Sequence, residues 1–312
     1  MLRLSRGRVV VFAAILLAAL AAAFFAYGSW EARQLRVVSR ELFFDDLPPA
    51  FDGLRIIHLS DLHTASYGRV ERRLRRILKT TPADLLVVTG DFKAHLATPD
   101  GKVLASLDRI FGGLSYPWGL VAIPGNHDTT SFYYGLAERR LFTCLLRNSV
   151  RLEWKGQAVL LSGVATVRPN DGTRGSHEID ESTWVGNVAD RTAPWSLLPD
   201  GTATPLASDL LSEGGTFRIL LAHTPDFIVD AEKAGIDLVL AGDTHGGQVR
   251  LPFNAALLLK SSLTRKYVKG HFVVGRTQLY VSPGVGTLYV SIRFLCPPEV
   301  DLLVLRRGPR PR

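Results

Sequence analysis

The sequence predicts a layered α/β domain that follows an apolar helix. Five short apolar runs rich in Val, Ile and Leu are typical of buried strands, because each is bounded by Gly, Pro or polar residues. Amphipathic segments alternate with the first of these runs, which is the pattern of helices packed on a sheet. An uncharged stretch near the start of the chain predicts the preceding helix.

That N-terminal stretch, Val9–Tyr27, approaches the ~20 residues that a helix needs to cross a bilayer. Tyr27 and Trp30 lie where an interfacial aromatic belt would be. A cleaved signal peptide is the alternative, although the apolar stretch is longer than a usual signal core. Three arginines precede the span and three follow it, and those before it are more closely spaced, which favours the N-terminus inside. We therefore expect a single-pass anchor at residues 1–30 and a catalytic domain on the extracytoplasmic side.

Composition narrows the classes of partner and site. The 312 residues carry a formal net charge of +8, and basic residues beside an apolar segment indicate anionic headgroups. No basic tract alternates with aromatics, so no nucleic acid is expected as a partner. Cys144 and Cys296 form no C-x-x-C pair, which argues against a disulfide framework and against a thiolate zinc site. Nothing in the composition indicates an oligomeric state.

The elements after the anchor alternate in type. Val37–Phe44 predicts a strand and Asp45–Gly53 a turn-rich linker, so residues 31–53 precede a main domain at residues 54–312. Gly68–Thr80 has apolar residues at helical spacing and a basic outer side, which predicts a helix. Two interpretations are open: a helix packed on the core with a solvated basic side, and a helix lying against lipid headgroups. The same spacing predicts a second helix through Leu104, Leu107, Ile110 and Phe111.

Residues 168–215 differ from the rest of the domain. They are rich in Gly, Ser, Thr, Asp and Pro and also contain Trp184 and Trp195. A loop of this length inside a domain is usually functional or disordered. Two interpretations are open: an insertion that contacts substrate, and a simple surface excursion.

Each apolar run ends in residues that can hold a metal. Sites in open α/β sheets form beyond the carboxyl ends of the strands. The seven candidate ligands lack sulfur, which suits Mn, Fe, Zn or Mg, and they are too many for one ion. The runs and ligands are Arg55–Ser60 with Asp61 and His63, Leu85–Gly90 with Asp91, Leu120–Gly125 with Asn126, Arg218–Ala222 with His223, and Leu238–Gly242 with Asp243 and His245.

Two neighbours of Asn126 suggest proton transfer. His127 does not need to be a ligand and could protonate a leaving oxygen, with Asp128 orienting it. Taken singly, each motif is weak: a lone His223 is more often a core histidine, and Gly-Asn is also a turn signal. The order of all five motifs after strand-like runs is what favours one shared site.

This order resembles the calcineurin-like metallophosphoesterase superfamily, whose pattern is D-x-H, G-D, G-N-H-[DE], H and G-H-x-H. The resemblance covers Arg36 to the C-terminus, and Leu221–Pro252 and Gly275–Pro298 are similar to its bacterial membrane-associated branch. It implies a four-layer α/β/β/α sandwich with two divalent metals at one edge. It also implies that Asp91 bridges the metals and that His127 is the acid near the leaving group. By resemblance, Asp61, His63, Asp91 and His245 hold the first metal, and Asp91, Asn126, His223 and Asp243 hold the second.

The implied reaction is hydrolysis of a phosphodiester or pyrophosphate by a metal-bound hydroxide. Together with the predicted anchor, this favours a lipid-linked or envelope substrate. Some similar bacterial members cleave UDP-2,3-diacylglucosamine in lipid A synthesis, an alternative that requires a cytosolic domain. A non-catalytic scaffold is a second alternative, disfavoured because every ligand position has a competent side chain. A nuclease is a third, weakened by the lack of a basic cleft signature.

Asp243 departs from the family pattern, which usually has His at this position. With Asp61, Asp91 and Asp243 ionised, two divalent ions keep about one net positive charge. We expect such a site to attract dianionic monoesters less strongly. More oxygen ligation also favours harder ions, so Mn²⁺ is the expected metal, with Zn, Fe and Mg as alternatives.

Overall fold

The computed structural model describes residues 6–146, 148–164, 216–250 and 266–309. The insertion predicted at 168–215 lies outside these ranges. The helices are α1 (Arg6–Glu31), α2 (Arg69–Thr80), α3 (Asp100–Phe111), α4 (Thr130–Glu138) and α5 (Ile228–Lys233). The strands are β1 (Arg36–Phe44), β2 (Arg55–Leu59), β3 (Leu85–Thr89), β4 (Leu120–Ile123), β5 (Thr143–Cys144), β6 (Ser149–Trp154), β7 (Gln157–Val164), β8 (Phe217–Ala222), β9 (Leu238–Ala241), β10 (Gly270–Val274), β11 (Thr277–Val281) and β12 (Glu299–Arg307).

These strands form two six-stranded sheets. The first has the order β1-β12-β2-β3-β4-β5 and the second β10-β11-β9-β8-β7-β6. Strands β2, β3 and β4 are adjacent and parallel, as are β8 and β9, so their carboxyl ends form two neighbouring sheet edges. Strand β1 is an edge strand of the first sheet, because it is first in the strand order, and it pairs in parallel with β12.

Three apolar cores separate four layers. Leu107 and Phe132 of α3 and α4 pack with Val88 on the outer face of the first sheet. A second core lies between the sheets and includes Leu161. Ile228 of α5 belongs to a third core on the outer face of the second sheet. Strand β3 is buried throughout because both of its faces are covered, which is typical of parallel strands in α/β domains. The expected α/β/β/α sandwich is confirmed.

Helix α2 forms where its amphipathic pattern predicts. Leu74 and Leu78 are buried, whereas most of its arginines face outward. At its start, the Glu71 carboxylate accepts a hydrogen bond of 2.8 Å from the Gly68 backbone N–H, which satisfies an amide that the helix leaves open. Arg75 is the exception on the polar side, since it donates to the carbonyls of Ile110 and Gly112 beside α3.

Helix α1 is long and apolar enough to cross a membrane by length and composition, and its apolar window is exposed. Its last turns dock on the domain. The Gly28 carbonyl accepts a hydrogen bond of 3.0 Å from the Arg293 N–H, and the Glu31 carboxylate accepts one of 3.2 Å from the Cys296 N–H. A Cβ at Gly28 would lie 2.9 Å from Ile292 Cβ, so only glycine allows this approach. Packing, rather than a flexible linker, therefore joins α1 to the domain.

Asp301 on β12 predicts a pH dependence of stability. It is fully buried, burial raises its pKa to about 7, and one oxygen accepts a 2.8 Å hydrogen bond from the Tyr280 hydroxyl. The folded protein keeps a proton up to about pH 7 that the unfolded chain releases near pH 4. This site therefore lowers stability progressively as pH rises between those values.

Asp301→Asn should remove this cost without losing the acceptor for Tyr280. The quantity to compare is the melting temperature of the variant minus that of wild type. We expect this difference to be several degrees larger at pH 8 than at pH 5. Thermal unfolding of the full chain in a nonionic detergent measures this difference. The same increment at both pH values would show that the carboxyl group does not titrate on unfolding.

Candidate metal centre

The predicted ligands converge at the neighbouring edges of the two sheets. Asp61, His63, Asp91 and His245 each offer an atom within 4.8 Å of the others. Asp91, His223 and Asp243 form a second such group. Asp91 belongs to both groups, which is the arrangement that a bridging carboxylate needs.

In the first group, imidazole nitrogens alternate with carboxylate oxygens. His245 Nε2 lies 3.4 Å from Asp61 Oδ1, and His63 Nε2 lies 3.5 Å from Asp91 Oδ2. The two Nε2 atoms are 3.1 Å apart and their rings stack at a centroid distance of 4.9 Å. Two ring nitrogens and two carboxylates therefore face one small volume.

The second group shares this design. His223 Nε2 lies 3.3 Å from Asp91 Oδ1 and 3.5 Å from Asp243 Oδ1. Asn126 joins the group, because its amide Nδ2 donates a 3.1 Å hydrogen bond to Asp243 Oδ1. All seven sequence-predicted ligands therefore lie in one cluster, with Asn126 reached through Asp243.

Buried polar atoms without a hydrogen-bond partner indicate whether this cluster can hold cations. Asp61 Oδ1, Asn126 Oδ1 and His223 Nε2 are buried and have no hydrogen-bond partner. Buried polar atoms are rarely left without a partner unless an ion or another function uses them. Oxygen and imidazole nitrogen are the donors that Mn, Fe and Zn accept. The residues therefore fit two divalent ions.

Two histidines are oriented by carbonyls outside the cluster. His63 Nδ1 lies 2.9 Å from the Lys93 carbonyl, and His223 Nδ1 lies 2.7 Å from the Thr89 carbonyl. A carbonyl only accepts, so these contacts place the ring proton on Nδ1. Nε2 is then the atom that would face a bound metal, as metal-binding imidazoles require.

The backbone is constrained where the ligands leave the strands. Left-handed φ angles are uncommon for residues other than glycine and cost about 1–3 kcal/mol each. Five of the candidate ligands have such angles, so the surrounding hydrogen bonds and packing must hold these turns in place. The angles are 51° at Asp61, 43° at His63, 56° at Asp91, 64° at Asp243 and 51° at His245.

Gly125 permits the loop after β4 to approach Asp91. A Cβ at this position would lie 2.3 Å from Asp91 Oδ1 and 2.9 Å from His223 Cε1. No side chain fits at such distances, so the glycine in the Gly-Asn-His-Asp motif is required by packing around the shared carboxylate. The next residues, Asn126 and His127, are thereby brought to the cluster.

His127 and Asp128 occupy different environments. The His127 N–H donates a 2.8 Å hydrogen bond to Asp91 Oδ1, and its ring lies 5.1 Å from the His63 ring between centroids. The Asp128 carboxylate accepts hydrogen bonds from the backbone N–H groups of Phe92, Lys93 and Gly125. It therefore ties the loop after β3 to the loop after β4. That Asp128 orients His127 stays a prediction.

The charges of the cluster are strongly coupled. Burial raises the pKa of Asp61 to about 7, and the nearby Asp91 and Asp243 add to this effect. Burial acts in the same direction on Asp91, but His223 and His63 outweigh it, and the pKa of Asp91 is held well below its usual range. Burial lowers the pKa of His63 to about 4. A cation that binds Asp61 must displace its proton, so affinity for metals should increase with pH.

Arg293 supports the site and was not found by sequence reasoning. It is fully buried, and its guanidinium donates to the carbonyls of Pro283 at 2.7 Å and Gly286 at 2.6 Å. A longer contact of 3.4 Å reaches the His245 carbonyl. The Gly286 N–H in turn donates to the Asp61 carbonyl at 2.7 Å. Arg293 therefore contacts the loop that carries His245 directly and supports the loop that carries Asp61 through Gly286, although its neighbours in sequence show no ligand pattern.

Comparison with known proteins agrees with this geometry. The family model of calcineurin-like phosphoesterases matches residues 54–247, which include all seven predicted ligands. The chain belongs to the calcineurin-like phosphoesterase family. It is therefore a metal-dependent phosphoric ester hydrolase by family.

Relatives in this family include membrane-associated proteins. The metallophosphoesterase YkuE of Bacillus subtilis is 29% identical over 83% of this chain and 82% of its own length. The UDP-2,3-diacylglucosamine pyrophosphatase LpxG of Chlamydia trachomatis is 28% identical over 83% of this chain and 86% of its own. A Bos taurus transmembrane protein with a metallophosphoesterase domain is 27% identical over 84% of this chain and 55% of its own.

Metal binding should stabilise the protein through Asp91. We expect Mn²⁺ to raise the melting temperature of the chelator-treated full chain, since binding at 100 times Kd contributes about 2.7 kcal/mol. Asp91→Asn should lose most of this increase because both ion positions share its carboxylate. Asp46→Asn, at an exposed carboxylate outside the cluster, is the matched control.

Elemental analysis measures the same effect directly. Wild type and Asp46→Asn should retain two Mn²⁺ per chain after gel filtration, and Asp91→Asn fewer than one. Equal metal content in all three proteins would contradict a shared ligand at Asp91.

Proposed function

We propose that this chain is a membrane-anchored phosphoesterase that requires two divalent ions and hydrolyses phosphodiester or pyrophosphate bonds. The observation that carries the proposal is the convergence of Asp61, His63, His223 and Asp243 around the shared carboxylate of Asp91. A binding scaffold would not need this convergence of carboxylates and imidazoles, several of which are held at left-handed backbone angles. The scaffold alternative therefore remains disfavoured.

The proposed ligand sets follow the two groups around Asp91. When bound, two divalent ions acidify water and offset the charge of the phosphoryl group. The chain's own residues hold the donors in place, chiefly through the carbonyls of Lys93 and Thr89. The first ion is assigned to Asp61, His63, Asp91 and His245, and the second to Asp91, Asn126, His223 and Asp243.

His127 is the proposed proton donor to the leaving oxygen. Its N–H is fixed on Asp91, its ring adjoins the His63 ring, and its side chain is outside both proposed ligand sets. A group that binds no ion remains able to carry a proton. General acid catalysis of this kind contributes about 10²–10⁴-fold to rate. Asp128 supports it by fixing the backbone of the same loop.

Asp243 supports a preference for diesters or pyrophosphates over monoesters. Its carboxylate faces His223 and the Asn126 amide, where the family usually has a neutral imidazole. The added negative charge reduces the net positive charge of the loaded site. A dianionic monoester loses more attraction than a monoanionic diester. Mn²⁺ is the proposed metal on the same ground, with Zn, Fe and Mg as alternatives.

The proposed anchor is α1. It is apolar and exposed until its last turns, and a Bos taurus relative is named as a transmembrane protein. We divide the chain into an anchor at residues 1–30, a strand and linker at 31–53, and a catalytic domain at 54–312. The N-terminal basic residues favour an extracytoplasmic domain. Tethering to the membrane surface favours a lipid-linked or envelope phosphoester.

A second candidate is pyrophosphate hydrolysis of UDP-2,3-diacylglucosamine. The similarity to LpxG over most of both chains favours it. This function places the domain in the cytosol, opposite to the orientation that the basic residues favour. A protease-protection assay on vesicles of known orientation separates the two candidates.

His127→Gln should lower kcat by about 10²-fold or more, because it removes the proton donor but no ligand. The assay follows hydrolysis of bis(p-nitrophenyl) phosphate by the full chain with Mn²⁺, with metal content measured in parallel. His271→Gln on β10 is the control and should retain wild-type kcat. Loss of bound Mn²⁺ in His127→Gln would instead make His127 a ligand, and inactivity of wild type on diesters and on a UDP-linked lipid would favour a scaffold.

Asp243→His should change substrate preference rather than abolish activity. Removing one negative charge should raise kcat/KM for p-nitrophenyl phosphate relative to bis(p-nitrophenyl) phosphate, by about tenfold for ~1.4 kcal/mol. It should also raise the activity with Zn²⁺ relative to Mn²⁺. If both ratios stay at their wild-type values, the charge argument for Asp243 is wrong.

A further inference from the structure

A basic cavity lies where α1 meets α2. It has a volume of about 420 Å³ and opens to solvent. None of its lining residues is a predicted metal ligand, so it is separate from the metal centre. The lining residues are Trp30, Arg33, Gln34, Arg69, Arg72, Arg73 and Arg76.

Four of these arginines form one stripe along α2. Arg69, Arg72, Arg73 and Arg76 are spaced by three or four residues, so their side chains are neighbours on one helix face. Like charges at this spacing destabilise a helix. No carboxylate within the described ranges forms an ion pair with any of them. The stripe is therefore concentrated positive charge that no described carboxylate pairs with.

The end of α1 supplies the other wall. Trp30 stands in its last turn, is 52% exposed and contacts the Tyr27 ring at 5.6 Å between centroids. Arg33 follows directly, and the Arg73 guanidinium donates a 3.0 Å hydrogen bond to the Leu35 carbonyl. Arg73 thus fixes the stripe of α2 beside the end of the apolar helix.

The position of the cavity identifies its ligand class. This step rests on the proposed function, in which α1 crosses a bilayer. Trp30 and Arg33 then lie at the level of the lipid headgroups, because Trp and Arg favour the membrane interface. A lipid bound there has its acyl chains beside α1 and its headgroup among the arginines. A soluble anion has no acyl chains to place beside Trp30 and α1.

We propose that this cavity binds the phosphate of an anionic phospholipid from the surrounding membrane. Arginine pairs with phosphate oxygens through two parallel hydrogen bonds, and several arginines together favour a phosphate that is not neutralised by its own headgroup. The lipid acts as a ligand that fixes α2 against the membrane, and it is not a substrate because the metal ligands lie elsewhere.

The test is calorimetric titration of the full chain in nonionic detergent with EDTA present, after subtraction of protein-free micelles. The probes are dioctanoyl phosphatidate, dioctanoyl phosphatidylcholine and inorganic phosphate. We expect phosphatidate to bind at least tenfold more tightly than the other two. The affinity for phosphatidate should fall at least tenfold in Arg69→Gln/Arg72→Gln/Arg76→Gln.

The matched control removes three exposed cations on the side of the second sheet, in Lys155→Gln/Lys233→Gln/Arg276→Gln, and should bind phosphatidate like wild type. Unchanged binding in the arginine variant, or an equal loss in the control, would refute the cavity as the site. Equally tight binding of inorganic phosphate would identify a site for free phosphate, and equally tight phosphatidylcholine would identify apolar contact alone. Either result overturns the proposal.

Two further measurements distinguish failure of the lipid site from failure of the proposed function. All three proteins should hydrolyse bis(p-nitrophenyl) phosphate with Mn²⁺ at the same rate, because the stripe does not contact the metal centre. Extraction of membranes with alkaline carbonate tests the anchor. Failure of either readout would count against the proposed enzyme or anchor, whereas failure of the titration alone would count against the lipid site.

Discussion

The shared carboxylate of Asp91 is the interaction on which the site depends. One oxygen accepts a hydrogen bond from the His127 N–H and faces His223, and the other faces His63. Because Asp91 follows β3 and His223 follows β8, this one group joins the edges of both sheets. Removing it would leave two incomplete sets of ligands and a buried imidazole without its counter-charge.

The convergence of the predicted ligands could be anticipated because each of them follows a short apolar run in the sequence. Buried parallel strands are short apolar runs, and the residue after each run lies at a known edge of the sheet. The run before Asp61 and the run before His245 therefore gave the location of the site without knowledge of the fold. The four layers came from the family resemblance instead, since apolar runs alone do not say which strands share a sheet.

Other features could not be read from local patterns, because they arise between distant segments. Strand β12 lies between β1 and β2, a placement that no spacing encodes. Arg293 acts by donating to backbone carbonyls. Every residue has a backbone carbonyl, so the sequence does not indicate which residues accept from Arg293. Asp128 illustrates the same limit: its carboxylate accepts hydrogen bonds from three backbone amides, and no sequence pattern indicates such partners.

The docking of α1 sets how the domain can move. Gly28 and Glu31 are bound to the segment at Arg293 and Cys296, so no loose tether separates helix from domain. If α1 spans a bilayer, such a joint would make the domain rotate and tilt together with the helix. The candidate metal centre would then keep a fixed position relative to α1, and substrates would be selected by whether their phosphates reach that position.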